Sequence, residues 1–133
     1  MGQKYLIDTC AVVKYLGEVL PESALSFMDG VVDGDCRVSF ITKIELLVWN
    51  APDPADIKTR EEFLSGSTVY YINDIIINQA IKIRKETNIK LPDAIIAATA
   101  MTYNCTLLSD NDTDFNKVIP LGLNYLNPRT AFN

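Results

Sequence analysis

The sequence predicts an α/β fold in which a central, mostly parallel five-stranded sheet is flanked by helices. Three observations support this prediction. Short apolar runs alternate along the chain with stretches of helical periodicity, which is the pattern of strands joined by crossover helices. The chain has 133 residues, of which 48% are apolar, so it can form one core and is too short for two ordinary domains. It contains no internal repeat or long linker, and we therefore treat residues 1–133 as a single domain.

Five apolar segments are predicted to be strands. The first ends abruptly at an acid, Asp8, and the third is rich in the β-branched and aromatic residues that favour strands. The fifth is short and is expected at an edge of the sheet. The predicted strands are residues 5–7, 36–41, 68–72, 106–108 and 118–121, and the tail after Gly122 is left unassigned.

Six stretches are predicted to be helices. Pro21 suits a first helical turn, Asp74 is expected to cap the helix that follows it, and the prolines of residues 50–54 end the helix before them. Apolar residues share a face of two of these helices: Ile44, Leu47 and Val48 in the third, and Ile76, Ile77, Ala80 and Ile81 with the Arg84 stem in the fifth. The predicted helices are residues 11–16, 21–34, 42–49, 57–64, 75–87 and 91–103.

The composition excludes several kinds of chemistry. The sequence has no histidine, which removes Ser-His-Asp and Cys-His catalysis and most zinc hydrolase sites. Its three cysteines, Cys10, Cys36 and Cys105, are widely spaced in apolar surroundings and are expected to be reduced core thiols. The net charge of −5 argues against bulk electrostatic attraction to nucleic acid. No apolar run approaches the roughly 20 residues that span a bilayer, so we expect a cytoplasmic protein without a membrane partner.

Acidic side chains recur at strand ends and helix starts, and each has an ordinary structural explanation. Asp8 could cap the next helix, and Thr42 with Glu45 matches the T-x-x-E pattern of a capping box. Asp93 stands in a first helical turn, where the helix dipole stabilises it by roughly 0.3 to 1 kcal/mol. The acids of residues 109–115 could be turn residues that bond their own backbone.

These separate explanations do not predict that the acidic residues share one location. Residues that follow parallel strands gather along one edge of the sheet, which places Asp8, Glu45 and the acidic loop together. Asp93 joins them if its helix docks with its N-terminus towards that edge. Carboxylates that meet repel one another and raise their own pKa values unless a cation neutralises them. Ligands that are all oxygen suit Mg²⁺ or Mn²⁺, which can activate a water molecule and polarise a phosphate, so we predict a phosphoester-type metal site.

The motifs and their order resemble the PIN-domain ribonucleases and, within them, the VapC-type toxins of toxin–antitoxin pairs. The resemblance extends from residue 6 to residue 115. It rests on LIDTCAVVKYL (residues 6–16), ITKIELL (41–47) and LPDAIIAATA (91–100), followed by LLSDNDTDF (107–115). The third motif is the most specific, because it is close to the usual sequence of the family over ten consecutive residues.

The resemblance implies a PIN-like three-layer sandwich with a five-stranded parallel sheet and a metal-dependent endoribonuclease activity. It carries the catalytic and metal-binding carboxylates to Asp8, Glu45 and Asp93, and gives Thr9 a role in orienting a carboxylate or water. The fourth acid departs from the family, because Asn111 stands where many relatives have Asp. The candidates for that acid are Asp110, Asp112 and Asp114, of which Asp114 is favoured because it precedes Phe115 as in the Asp-Phe ending of the family, and Asp112 is next.

The resemblance also implies partners. Members of the family usually form homodimers and are silenced by a small antitoxin whose tail enters the acidic groove. Trp49 and the NAPDP segment, residues 50–54, are candidate contact surface, although a single Trp is more often in the core. Arg84, Lys85 and Lys90 are candidates for holding the phosphates of the RNA substrate, or form the solvated polar end of a helix.

These observations lead to one main hypothesis and two alternatives. The main hypothesis is an endoribonuclease in which water activated by Mg²⁺ or Mn²⁺ attacks a phosphodiester in line and, by the resemblance, leaves a 5′-phosphate and a 3′-hydroxyl. The first alternative, supported by Asn111 and the acidic net charge, is a PIN-like module that has lost catalysis and binds RNA or a protein. The second is another Mg²⁺ enzyme, such as a phosphatase or a receiver, but the acidic pair and strand-end Lys of a receiver are not found.

Overall fold

Parallel strands form the centre of the computed structural model, which describes residues 2–132. The strands are β1 (Tyr5–Ile7), β2 (Arg37–Ser39), β3 (Thr68–Tyr70), β4 (Thr106–Leu108) and β5 (Asn124–Leu126). β1 pairs with β4 and β4 pairs with β5, whereas β2 pairs with β3, and all three pairings are parallel. β1 also lies beside β2, with Cα atoms of the two strands within 8 Å. The predicted parallel arrangement is confirmed, with its strands in two hydrogen-bonded groups.

Helices connect these strands and cover them. They are α1 (Thr9–Leu16), α2 (Glu22–Asp35), α3 (Phe40–Val48), α4 (Pro54–Ser65), α5 (Asp74–Glu86), α6 (Leu91–Thr102), α7 (Asp112–Phe115) and α8 (Pro128–Ala131), with a 3₁₀ turn at Ile119–Leu121. The six predicted helices correspond to α1 to α6, whereas α7 and α8 were not predicted. None of the helices in the described part of the chain is long and apolar enough to cross a bilayer.

The core lies on both faces of the sheet. Leu6 of β1 and Leu107 of β4 belong to one apolar cluster, which also contains buried residues of α5 and α6. Their neighbours Ile7 and Leu108 belong to a second cluster with buried residues of α1, α2 and α4. Successive residues of a strand point to opposite faces, so both faces of β1 and β4 are apolar and covered. The three-layer sandwich is therefore confirmed.

The last strand differs from the prediction. Residues 118–121, predicted as a strand, contain the 3₁₀ turn Ile119–Leu121, and β5 is formed instead by Asn124–Leu126. Pro120 has no N–H to give to a strand ladder, and Gly122 adopts φ 113°, a left-handed conformation that turns the chain. The strand begins only after this turn.

Two helix starts also differ. The predicted cap Asp74 is wrong, because Asn73 occupies the N-cap and its side-chain oxygen accepts from the Ile76 N–H at 2.9 Å. The predicted capping box at Thr42 is wrong as well. The helix begins at Phe40, and the Ser39 hydroxyl accepts from the Ile41 N–H at 3.1 Å. Glu45 is therefore free of a capping role.

The predicted apolar faces of α3 and α5 do not coincide with their buried faces. In α3 the buried residues are Thr42 and Leu46, whereas Ile44, Leu47 and Val48 are exposed. In α5 the buried residues are Ile76, Ala80 and Ile83, whereas Ile77 and Ile81 are exposed. Periodicity identifies a shared face correctly, but it does not distinguish a core face from a surface that remains uncovered.

Candidate active site

Asp8 lies at the carboxyl end of β1, buried at 5% exposure. Ile7 pairs with Leu108, so Asp8 and Ser109 are the next residues on two neighbouring strands. The Ser109 hydroxyl donates to Asp8 Oδ2 at 2.8 Å, and the Cys10 thiol donates to the same oxygen at 3.0 Å. Asp8 occupies the N-cap position of α1, but its side chain caps no backbone N–H. The helix-cap explanation of this acid is therefore wrong.

Thr9 connects the first acid to the second. Its hydroxyl donates to Glu45 Oε1 at 2.6 Å and lies 3.0 Å from Thr42 Oγ1. Burial raises the pKa of Glu45, the Thr9 hydrogen bond lowers it, and the charge of Asp8 raises it again. The net direction is upwards. Thr9 thus holds the Glu45 carboxylate beside Asp8.

Asp93 stands in the first turn of α6, whose N-terminus is directed towards the same edge. Burial raises the pKa of Asp93 to about 6, and the negative charges of Asp8, Asp114 and Glu45 contribute to the rise in that order. Those three carboxylates therefore lie near enough to Asp93 for their charges to act on it. The positive charge of Lys90 acts in the opposite direction.

Asn111 orients the loop acid Asp114. The Asn111 side-chain oxygen accepts from the Asp114 N–H at 3.4 Å at the start of α7, and its amide nitrogen donates to Asp114 Oδ2 at 3.0 Å. The Asn111 N–H donates to the Ser109 hydroxyl at 3.1 Å. Asn111, which stands where many relatives have Asp, therefore positions the Asp114 carboxylate.

The other two loop acids are bound elsewhere. Asp112 Oδ1 accepts from the Tyr125 hydroxyl at 2.6 Å and from the Asn127 amide at 3.1 Å, which ties α7 to the end of β5. Asp110 accepts from Lys14 and lies 3.8 Å from Arg129. Burial alone would raise the pKa of Asp110, but hydrogen bonds from Lys14 and Cys10 and the nearby positive charges lower it. Asp114 remains the loop acid whose charge reaches Asp93.

Cys10 and Ser109 were missed as site residues. All three cysteines are free thiols, as expected, and Cys36 and Cys105 are buried. Cys10 is only partly buried and lies among polar groups, 3.3 Å from Asp110 Oδ1 and 3.4 Å from the Ser109 hydroxyl. A signal for Ser109 existed in the sequence, because it follows a predicted strand as Asp8 does.

The predicted RNA-binding residues lie in different surroundings. The Arg84 guanidinium donates to the Ile89 carbonyl, and Arg84 and Lys85 line an apolar groove between α5 and α6 with Ile81 and Leu91. Lys90 precedes α6 and is near enough to Asp93 to lower its pKa. Of the three, Lys90 is the one near the acids.

These acids are the kind of ligand that a hard divalent cation prefers, but their side chains do not surround a common position for the ion. The carboxylates of Asp8, Glu45, Asp93 and Asp114 provide only oxygen donors, and burial followed by the charges of the other three raises the pKa of Asp93. Among residues 2–132, no three acidic or cysteine side chains are clustered tightly enough to hold a metal ion. Mg²⁺ keeps several water ligands, so it does not require direct contact with every carboxylate.

The raised pKa of Asp93 predicts a cost in stability. Because its pKa of about 6 in the folded protein is higher than the ordinary value of 3.8, stability decreases as pH rises through the interval between them. Without divalent cations, we expect Asp93→Asn to be more stable than wild type at pH 7.5, by on the order of 1 kcal/mol after allowance for solvent screening. The difference should vanish near pH 4. Urea unfolding in EDTA at a series of pH values measures it.

Glu61→Gln is the matched control for this prediction. Glu61 is exposed in the middle of α4, away from either helix end, so the same change in charge there should give no comparable gain in stability. A lower free energy of unfolding for Asp93→Asn than for wild type at pH 7.5 would contradict the prediction.

Comparisons with known proteins place this site in a known fold. A family model described as PIN domain matches residues 5–119. A comparison with curated proteins gives no match. Among solved structures, DNA-bound VapBC from Salmonella typhimurium is 18% identical, with 96% of this chain and 99% of that chain covered and a TM-score of 0.80. A toxin–antitoxin complex from Klebsiella pneumoniae is 25% identical, with 94% and 98% covered and a TM-score of 0.74. VapBC2 from Rickettsia felis, bound to a promoter DNA fragment, is 20% identical, with 94% and 98% covered and a TM-score of 0.77.

Proposed function

The chain belongs to the PIN-domain family, and on this premise we propose that it is a metal-dependent endoribonuclease of the VapC type, the toxin of a toxin–antitoxin pair. It hydrolyses RNA phosphodiester bonds and leaves a 5′-phosphate and a 3′-hydroxyl. Its cofactor is Mg²⁺, with Mn²⁺ as a substitute. The observation that carries the proposal is that Asp8, Glu45 and Asp114, from three different segments, lie near enough to Asp93 for their charges to act on it.

Asp8, Glu45 and Asp114 are each held by a neighbour through one oxygen. Ser109 and Cys10 donate to Oδ2 of Asp8, so we assign Oδ1 to the cation. Thr9 likewise holds Oε1 of Glu45, which leaves Oε2 for the cation. Fixed carboxylates are preorganised to hold a cation, because they need not reorient when it binds.

The loop and helix acids complete the proposed ligand set. Asp114 is held by Asn111, and Asp93 enters from the start of α6. The pKa of Asp93, about 6, is still below neutral pH, so this carboxylate is mostly ionised in the working protein. When bound, a divalent cation would lower the pKa of a water molecule and polarise the scissile phosphate, which supplies the activation that histidine provides in other hydrolases.

A small antitoxin and a second copy of the chain are the protein partners in this proposal. The neighbours described as VapBC or toxin–antitoxin complexes support the first of these. Exposed apolar side chains support contact with protein, because large exposed apolar surfaces mark interaction sites. They include Ile44, Leu47, Val48 and Trp49 at the end of α3, next to the NAPDP segment, and Ile72, Ile77, Ile81 and Leu91 around α5 and α6.

Cleavage of RNA with and without metal tests the proposal. We expect the purified protein to cut single-stranded RNA in Mg²⁺ or Mn²⁺, and EDTA to reduce the rate at least about a hundredfold, because the metal supplies the activated water. End labelling of the fragments should detect 5′-phosphates. RNA that is bound but stays intact in Mg²⁺ would replace the proposal with the binding-module alternative. Undiminished cleavage in EDTA would contradict metal dependence.

A further inference from the structure

Two cations converge on one carboxylate at the rim of the acidic site. Asp110, the second residue after β4, accepts from Lys14 of α1, and Arg129 of α8 lies 3.8 Å from the same oxygen, Oδ2. Within residues 2–132, this is the one carboxylate that two basic side chains share as an ion pair. One negative charge cannot neutralise both, so the group of Lys14, Asp110 and Arg129 keeps a net charge of about +1.

Both basic side chains retain donors that face solvent. The Lys14 side chain is 37% exposed and the Arg129 side chain is 60% exposed, whereas that of Asp110 is 12% exposed. An ammonium group has three N–H donors and a guanidinium has five, and the shared carboxylate uses few of them. Ion pairs at this degree of exposure contribute little to stability, typically below about 1 kcal/mol, so stability alone gives little reason for both.

A single side chain separates this group from the first acid of the site. The Cys10 thiol lies 3.0 Å from Asp8 Oδ2 and 3.3 Å from Asp110 Oδ1. The two cations therefore stand beside the edge where Asp8 presents its carboxylate. A polyanionic strand that reaches this edge meets an acidic site on a protein of net charge −5 and requires local positive charge. Lys14 and Arg129 supply it.

We propose that Lys14 and Arg129 form a phosphate clamp, held in place by Asp110, that binds the backbone of the RNA strand next to the scissile bond. The inference rests on the proposed function and adds to it the residues that hold the substrate. The two cations come from α1 and α8, so the clamp also gives the C-terminal helix a role at the site. Asp110 is then an anchor for the clamp and not a metal ligand.

RNA binding measured as a function of salt tests the clamp. The background is Asp8→Asn, so that labelled single-stranded RNA stays intact, and the added changes are Lys14→Gln and Arg129→Gln, singly and together. We expect the double change to weaken binding at least about tenfold at low salt. We also expect the slope of log affinity against log salt to fall by about 1.4, that is about 0.7 for each lost phosphate contact. Each single change leaves Asp110 one cation, so those variants keep the loop anchored.

Two further pairs of substitutions distinguish a specific role of Lys14 and Arg129 in RNA binding from an effect of net charge or of a damaged fold. Lys14→Arg with Arg129→Lys keeps both charges and should restore affinity to within about threefold. Lys58→Gln with Lys82→Gln makes the same change in net charge at exposed positions of α4 and α5 that were not predicted to bind RNA, and should change the salt slope by less than half as much. Equal weakening by the two Gln pairs, or an unchanged slope in the Lys14 and Arg129 pair, would overturn the clamp.

Failure of the clamp and failure of the proposed function give different results. Wild type that leaves RNA intact in Mg²⁺ overturns the endonuclease, and the binding slopes still decide whether the clamp exists. Wild type that cleaves RNA while the double variant keeps its affinity and slope overturns the clamp alone.

Discussion

Asp8→Asn is expected to reduce the rate of RNA cleavage at least about a thousandfold while leaving the fold intact. A loss of that size corresponds to about 4 kcal/mol, within the range that a metal ion contributes to stabilising a transition state. The amide carbonyl can take the position of Oδ2 and still accept from Ser109 and Cys10, as the carboxylate does at 2.8 and 3.0 Å. Its NH₂ group then replaces Oδ1, the oxygen that we assign to the cation. Initial rates of cleavage in saturating Mg²⁺, with thermal unfolding in parallel, measure both effects.

Asp112→Asn is the matched control for this substitution. Asp112 is a second acid near the same edge, but its Oδ1 accepts from Tyr125 and Asn127, and an amide oxygen can accept from both. We expect it to change the rate by less than about tenfold, since no metal contact is lost. Equal rates for Asp8→Asn and wild type would reject the catalytic role of Asp8. A loss for Asp112→Asn as large as that for Asp8→Asn would make Asp112 the fourth acid.

The sequence was sufficient to predict the parallel fold because the two central strands are apolar on both faces. Leu6 and Ile7 of β1 and Leu107 and Leu108 of β4 are fully buried. Periodicity and length therefore both indicate buried parallel strands. β5 was missed for the opposite reason. Its residues are exposed or only partly buried, and Asn124 is not a typical strand residue. An edge strand with weak sequence preference is identified by its pairing with β4, which only the three-dimensional structure provides.

The acids of the site could be predicted individually, but their partners could not. Asp8 and Asp93 stand at a strand end and a helix start, and those positions can be assigned from local sequence. The hydrogen bond between Thr9 and Glu45 joins residues 36 apart in the chain, and the one between Ser109 and Asp8 joins residues 101 apart. Such contacts depend on how α3 and β4 pack beside β1. The local sequence does not determine that packing.

The capping-box explanation of Thr42 and Glu45 proved wrong because polar groups close in sequence compete for the cap position. Thr42 and Glu45 satisfy the pattern of a capping box, but Ser39 lies three residues earlier and caps the helix instead. The pattern alone cannot decide which hydroxyl is the cap, because the end of β2 determines where the helix can begin. Once Ser39 takes that position, Glu45 lies within the helix and faces Thr9. Tertiary structure thus converts a plausible capping residue into a candidate ligand.

Phe115→Ala is expected to destabilise the protein by about 3 to 5 kcal/mol, which is a large part of the 5 to 15 kcal/mol that ordinarily separates folded from unfolded domains. Phe115 is fully buried in the cluster formed with α5 and α6, and its ring lies 5.9 Å from that of Tyr125. Truncation leaves a cavity in this buried cluster. Urea unfolding at constant m-value measures the loss, and Phe115→Leu, which fills most of the volume, should cost less than about 2 kcal/mol.

The same substitution should affect the site, because Phe115 anchors the short helix that carries Asp114. The Phe115 N–H donates to the Asn111 carbonyl at 3.1 Å, so a shift of Phe115 would also disturb the start of α7. Phe132→Ala is the control, since Phe132 directly follows α8, is 41% exposed and packs only against Phe27 among the aromatic residues described. We expect it to cost below about 1 kcal/mol and to leave cleavage unchanged. A loss below 1 kcal/mol for Phe115→Ala would show that α7, and the acid it presents, is held by the loop hydrogen bonds and not by the core.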